Sequence, residues 1–386
     1  VSATVSTSAA PPDRAAIGAA IALFTAGGLF WAFLPFFIGL QEDRGGLSAT
    51  QAGALGSAYL VGFTIAGLAA PWWSMRMSPR AAVAVSVALV WLGLASLAFG
   101  VGYLPALIAC AGIGLALGAF WAIAYRVFGA APNAERAFAL AIAIGYPALA
   151  VITFLIGHFV LPQSGLFGMT TAIALLIGLL AAAAVKLPAQ FGNAAAATRV
   201  GAGEEKRLRL VCGLAAIALF SLAFAAVWAF AERIGTQAGF AGSTVTSVLS
   251  SNLLFTGLGS TGIALLGKRI GRWQVLVASY VLLAVCMAVL GHAGTIALFV
   301  FAIAGLGFGV GTGLPHQMSI VSQCDVRGRY VALIAAMQGL GTALGPLVGG
   351  VAFQSSGATA LGIVGAAALV ASFAMLIAAD RHARTA

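Results

Sequence analysis

The chain is 386 residues long, 62% hydrophobic and only 7% charged, with a net charge of +10 and a mean hydropathy of +1.07. Nineteen basic and nine acidic side chains cannot furnish the polar shell that a water-soluble fold of this size needs, so lipid must bathe most of the exterior. The positive excess does not read as a nucleic-acid surface, because it falls in short links between apolar runs and forms no Lys/Arg stripe.

Only helices and closed β-barrels satisfy their own backbone polar groups in lipid. A barrel would alternate apolar and polar residues in short segments. Here Leu210 to Ala231 and Thr295 to Leu314 are continuous apolar runs long enough for helices of about 20 residues. The predicted fold class is therefore an all-α membrane protein.

Residues 1–14 form a short tail without the layout of a cleavable signal, and the first span runs over 15–38. The next five spans are predicted at 49–73, 81–100, 104–128, 137–161 and 165–187. A linker at 188–208, rich in Ala and Gly and then charged, divides the chain near its middle. Six further spans follow at 209–231, 244–266, 273–290, 294–317, 329–353 and 358–379, with a tail at 380–386. The expected architecture is twelve transmembrane helices in two six-helix halves, 15–187 and 209–379.

With both termini in the cytoplasm, 17 of the 19 Lys and Arg residues fall on the inside, and only Arg44 and Arg233 lie outside. A missed or extra span would reverse every later loop, so the unbroken bias supports the span count as well as the orientation.

Small residues and prolines punctuate the spans. Gly305, Gly307, Gly309, Gly311 and Gly313 recur at spacing two, which is expected to let spans ten and eleven approach closely or bend. Pro35, Pro71, Pro147, Pro315 and Pro346 each remove a backbone donor within a span. Pro147 and Pro346 occupy comparable places, in the fifth span of each half, as in transporters built from repeats. Cys110, Cys212, Cys286 and Cys324 read as small apolar residues without metal or redox spacing.

Gly341–Thr342–Ala343–Leu344–Gly345–Pro346–Leu347–Val348–Gly349–Gly350 matches a Gly-x-x-x-Gly-Pro-x-x-Gly-Gly element, here in span eleven; span five has only Gly145–Tyr146–Pro147. Gly267–Lys268–Arg269–Ile270–Gly271–Arg272 matches an Asp-Arg-x-Gly-Arg element at Arg269, Gly271 and Arg272, with Lys268 at the acid position. In these motifs, in span count and in polarity, the chain resembles the major facilitator superfamily. The resemblance implies a secondary transporter that works by alternating access, with spans one, four, seven and ten around a central cavity helped by two, five, eight and eleven. It also implies gating pairs at the cytoplasmic loops, where Arg269 or Arg272 would meet a helix end or an acid such as Asp325.

On the cavity-lining spans, the residues expected to contact solute are Trp31, Tyr59, Trp121, Tyr125, Tyr146, Ser221, Trp228, Asn252, Thr256, Gln317 and Gln338. Asn252 and Gln338 carry amides that need partners in hydrocarbon, either a cavity or a neighbouring helix. The aromatics together point to an apolar or aromatic organic solute held by stacking and a few hydrogen bonds, and the expected cargo for uptake is a small organic solute, a carboxylate or an aromatic compound. Glu42, Asp43, Glu232 and Arg233 end spans one and seven on the outer side, neighbours in the fold that the resemblance implies, where they either form an ion pair that closes an outer gate or stay as simple solvated ends. Arg126 ends span four on the inner side, as a solute anchor, an inner gate or a snorkelling cation. His158, His316 and Glu232 are the candidates for proton coupling, since no acid sits at a clear midspan position.

No nucleotide-binding loop, Gly-x-Ser-x-Gly element or histidine ligand motif occurs in the sequence, so a pump, an enzyme and a metal or cofactor site are not expected. The expected partners are the solute, a co-transported proton and the bilayer of the inner membrane, with a functional monomer. Export of a hydrophobic compound and uncoupled facilitation are the alternatives to proton-coupled uptake.

Overall fold

The computed structural model describes residues 12–43, 45–74, 76–131, 134–187, 207–266, 271–324 and 331–381. Every described element is helical: α1 (Arg14–Asp43), α2 (Ala49–Trp73), α3 (Pro79–Ala98), α4 (Tyr103–Ala130), α5 (Ala134–Leu155), α6 (Leu161–Ala181), α7 (Arg207–Ala229), α8 (Ala231–Gln237), α9 (Gly242–Leu266), α10 (Arg272–Leu290), α11 (Ile296–Cys324) and α12 (Val331–Arg381). A π-turn, Ile156–Val160, joins α5 to α6, and a 3₁₀ turn, Ala182–Lys186, ends α6. Among the described residues nine helical stretches are long and apolar enough to cross a membrane. Large apolar side chains such as Leu92, Phe99, Leu179 and Leu265 stand exposed on the outer surface, as a lipid solvent requires.

Two of the nine stretches contain a sharp reversal made by glycine. Gly165 has φ 54° and ψ −139°, and Gly357 has φ 63° and ψ −147°. An L side chain rarely adopts this conformation, so glycine is what lets the chain turn back there. The two turns are near-identical and lie at the boundaries between the predicted fifth and sixth and the predicted eleventh and twelfth spans.

Helix starts follow local chemistry. Ser48 caps α2, accepting from Gln51 N while the Gln51 side chain accepts from Ser48 N. Ser78 caps α3, with Pro79 in its first turn.

The small residues set the helix–helix contacts. In α11, Gly305, Gly309 and Gly313 face Cys286, Leu283 and Ser279 of α10, while Gly307 and Gly311 lie on the Asn252 and Thr256 carbonyls of α9. Residues four apart share a helix face, so a spacing of two fills two faces. The run therefore sandwiches α11 between α9 and α10, a correction to the expectation that it would let spans ten and eleven approach. The motif around Pro346 is also two-sided: Gly341, Gly345 and Gly349 lie on Ala218, Ala225 and Ala226 of α7, whereas Pro346 and Gly350 lie on Gly53, Gly56, Ala49 and Thr50 of α2.

Candidate functional site

Contacts between the α1–α6 group and the α7–α12 group run along three seams. At one end Arg233 of α8 ion-pairs with Glu42 and Asp43 of α1; its Nε lies 3.3 Å from Glu42 Oε2 without hydrogen-bond alignment. The Glu232 carboxylate lies over Gly39, where a Cβ would collide with it, and its Oε2 is buried without a hydrogen-bond partner. Glu42 Oε1 is likewise buried and unpartnered. Deeper on the same seam, Trp228 Nε1 donates to Trp31 O at 3.2 Å.

The second seam joins α2 to the first arm of α12. Thr50 Oγ1 donates to Gln354 Oε1 at 2.6 Å, Leu347 N donates to Ser57 Oγ at 3.0 Å, and Gly339 meets Thr64. The third joins α5 to α9: Thr246 Oγ1 donates to Gly157 O at 3.4 Å in the π-turn, and Tyr146 and Pro147 cover Gly257. Pro147 and Pro346 thus do equivalent things, each seating its helix on glycine of the opposite group.

At the other, basic end, the named ties among the described residues stay within one group. Arg80 donates through Nε and Nη2 to Leu187 O at 3.2 and 2.9 Å, and Arg126 bonds Ser74 Oγ. In the second group Arg209 Nε donates to Ala379 O at 3.0 Å, Arg272 Nη2 lies 3.3 Å from Asp380 Oδ1, and Trp273 Nε1 donates to Asp380 Oδ2 at 2.9 Å. The groups meet at the Glu42–Arg233 end, while at the basic end Arg80 ties α3 to the end of α6 and Arg209 ties α7 to α12.

Between the ends lies an aromatic cluster. Phe24 stacks on Trp121 with ring centroids 4.9 Å apart, and Trp121 Nε1 donates to Phe24 O at 2.9 Å. Tyr125 and Tyr146 each lie 6.3 Å from Phe24, Tyr125 is 42% exposed, and Phe63 meets Trp121 edge-on at 5.1 Å. A Cβ at Gly27 would strike the Trp121 ring, so glycine there seats the indole. On the α7 side, Trp31, Phe224 and Trp228 form a second group, with Phe224 stacked on Trp228 at 6.2 Å. The Tyr59 hydroxyl reaches the Trp31 backbone without an aligned hydrogen bond.

The other residues expected to contact solute are spread over α7, α9, α11 and α12. Asn252 is buried between α9 and α11, its Nδ2 donating to Ile303 O at 2.7 Å. Thr256 donates to Asn252 O at 2.8 Å beneath Gly307. Both are thus placed in a helix–helix contact instead of on an open wall. Ser221 is buried on α7, and Gln338 is half-buried next to the Thr64–Gly339 crossing. Gln317 is fully buried on α11 with neither amide atom bonded. His316 Nδ1 lies 3.0 Å from Thr312 O on its own helix, and His158 stacks on Phe154 in the π-turn, its Nδ1 buried and unpartnered. Arg272 meets Asp380, an acid assigned in the sequence to the tail; Arg269 and Asp325 lie outside the described residues. Sequence reasoning passed over Phe24, Phe224, Gly39 and Asp380. Gly39 alone left a signal, one turn before Glu42 on the same helix face.

Comparison with known proteins agrees with this architecture. The family model of the Major Facilitator Superfamily matches residues 213–386. No curated protein sequence matches the chain. Among solved structures, the nucleoside transporter NupG superimposes with a TM-score of 0.71 at 16% identity, covering 95% of this chain and 98% of that one. A point mutant of the peptide transporter POT gives 0.71 at 14% identity, covering 96% of each. The xylose transporter XylE from E. coli, in a partially occluded inward open conformation, gives 0.68 at 15% identity, covering 94% of this chain and 98% of that one. The second half of the chain thus matches the family model of the Major Facilitator Superfamily, and nearly the whole chain shares the multi-pass helical membrane fold of these solved transporters.

Proposed function

We propose that the chain carries a small ring-bearing organic solute by alternating access, with proton coupling. In this reading twelve spans form two six-helix halves, 15–187 and 209–379, joined by a cytoplasmic linker at 188–208, and both tails are cytoplasmic. The basic end is the cytoplasmic one, in keeping with the positive-inside rule. The state described is then closed outside and open inside.

The observation that carries the reading is the asymmetry of the seams. Among the described residues, named contacts between the groups run from the Glu42–Arg233 end to the Thr64–Gly339 crossing, and the Arg80 and Arg209 bonds at the basic end stay within each group. Such a molecule opens by parting one set of contacts and making another, which is how alternating access works.

Trp121, Tyr125 and Tyr146 with Phe24, and the separate group of Trp31, Phe224 and Trp228, favour stacking on a flat or puckered ring. A nucleoside or a pentose fits that lining; NupG is a nucleoside transporter, and another solved structure, at 16% identity, is a D-xylose-proton symporter. A simple carboxylate fits less well, because Arg126, the cation nearest these rings in the chain, already bonds Ser74. Glu232 is the proposed proton carrier: its Oε2 is buried and unpartnered beside Glu42, Asp43 and Arg233.

Purified protein in liposomes, offered labelled nucleosides, pentoses and aromatic carboxylates under an imposed pH gradient, tests the reading. Accumulation of a ring solute with the gradient, and its collapse with a protonophore, is expected. Equilibration indifferent to the gradient would remove proton coupling, and no flux of any solute through folded protein would remove the cargo assignment.

A further inference from the structure

A groove of about 420 Å³ runs along the outer surface between α3 and α6. Its floor is made of small side chains, Ala84, Ala88 and Gly178 among them; Trp91 closes one end and Arg80 the other. From Arg80 to Trp91 the helix rises about 16 Å, close to the ~15 Å depth of one bilayer leaflet. Trp91 is held across the groove by its Nε1, which donates to Ala174 O at 2.9 Å. The rest of the lining is apolar, so Arg80 supplies its charge.

Arg80 is held by a carbonyl: Nε and Nη2 both go to Leu187 O. Among the described residues no carboxylate lies within ion-pair distance of Arg80 or of Lys186, the residue preceding that carbonyl. The matching place in the second group differs. Arg272 opens α10, which packs on α12 as α3 packs on α6, and there Asp380 supplies an anion to both Arg272 and Trp273. A second groove of about 350 Å³, between α3 and α4, is lined by Leu92, Leu104 and Ile108 and has no basic residue. Of the two grooves, the one between α3 and α6 combines an acyl-sized trough with a cation lacking an acidic partner.

We infer that this groove is a binding site for an anionic phospholipid, with one acyl chain between Arg80 and Trp91 and the headgroup phosphate on Arg80 and Lys186. The phosphate takes the part that Asp380 plays in the second group, completing the α3–α6 clamp. The site lies on the lipid-facing surface, apart from the aromatic cluster, so it does not depend on the proposed solute or its coupling.

The test is native mass spectrometry of the full chain released from equimolar mixtures of palmitoyl-oleoyl phosphatidylglycerol and phosphatidylcholine, whose acyl chains are the same. Wild-type protein is expected to retain phosphatidylglycerol over phosphatidylcholine by roughly thirtyfold, given about 1 kcal/mol for each of the two basic residues. The double variant Arg80→Gln, Lys186→Gln is expected to lose that preference. Ala88→Phe, at an exposed position, fills the trough but keeps both cations, and it is expected to lose the retained lipid while remaining folded. Equal retention of the two lipids by wild type, or undiminished phosphatidylglycerol retention in Ala88→Phe, would overturn the inference. So would displacement of the lipid by excess inorganic phosphate, which would mark a site for a free anion.

Discussion

The Glu232 carboxylate occupies the space that a side chain at Gly39 would need. This places an acid of α8 directly on the backbone of α1, beside the Arg233 pairs to Glu42 and Asp43. Gly39→Ala is therefore expected to turn the tip of the Glu232 side chain aside and leave α8 in place, since the colliding atoms are the end of a flexible side chain. Spin labels at Leu47 and Gln237 check this: their mean distance should be the same in the variant and in wild type.

Glu232→Gln removes the acid's charge and keeps its shape. Solute exchange between equal pools on the two sides of a liposome should persist, while accumulation driven by a pH gradient should vanish. A variant that still concentrates solute against its gradient would clear Glu232 of any part in coupling.

Trp121 and Asn252 should fail in different ways. Trp121→Ala loses the stack on Phe24 and the indole hydrogen bond, so solute affinity should fall about tenfold, in line with ~0.5–1.5 kcal/mol for an aromatic pair plus the lost ring area. Asn252→Ala loses the bond to Ile303 O, worth about 0.6–1.7 kcal/mol between membrane helices, so its melting temperature should drop while solute affinity is unchanged. Binding titrations and thermal unfolding in the same detergent separate the two effects.

Gly345→Leu drives a side chain into Ala225 and the backbone of Ala226. Backbone does not yield as a side-chain tip would, so this variant should reach the membrane poorly and elute as aggregate. Leu344→Ala, four-tenths exposed on the same helix, should behave as wild type in size-exclusion chromatography.

The helices were legible because apolar length is a one-dimensional signal: the predicted span 49–73 coincides with α2, and the predicted start of span nine falls one residue from Arg272. The meeting of Glu42 and Asp43 with Arg233 was also within reach, since three of the few charges in the chain end two neighbouring spans. Facing was not. Asn252 sits at cavity depth, but its azimuth about α9 is set by Gly307, fifty-five residues away, whose missing side chain lets the two helices close over the amide. Gln317 is likewise at a promising depth and is sealed in the interior. Depth follows from counting residues; direction depends on which neighbour is small enough to approach.

The alternating glycines of α11 leave that helix gripped on both flanks, by α10 through Gly305, Gly309 and Gly313 and by α9 through Gly307 and Gly311. Through that stretch it has no slack in which to swing by itself. Whatever parts the halves must carry these three helices as one slab, so probes on Val285 and Leu298 should serve as a fixed ruler through turnover, while the Thr50–Gln354 span oscillates with each cycle.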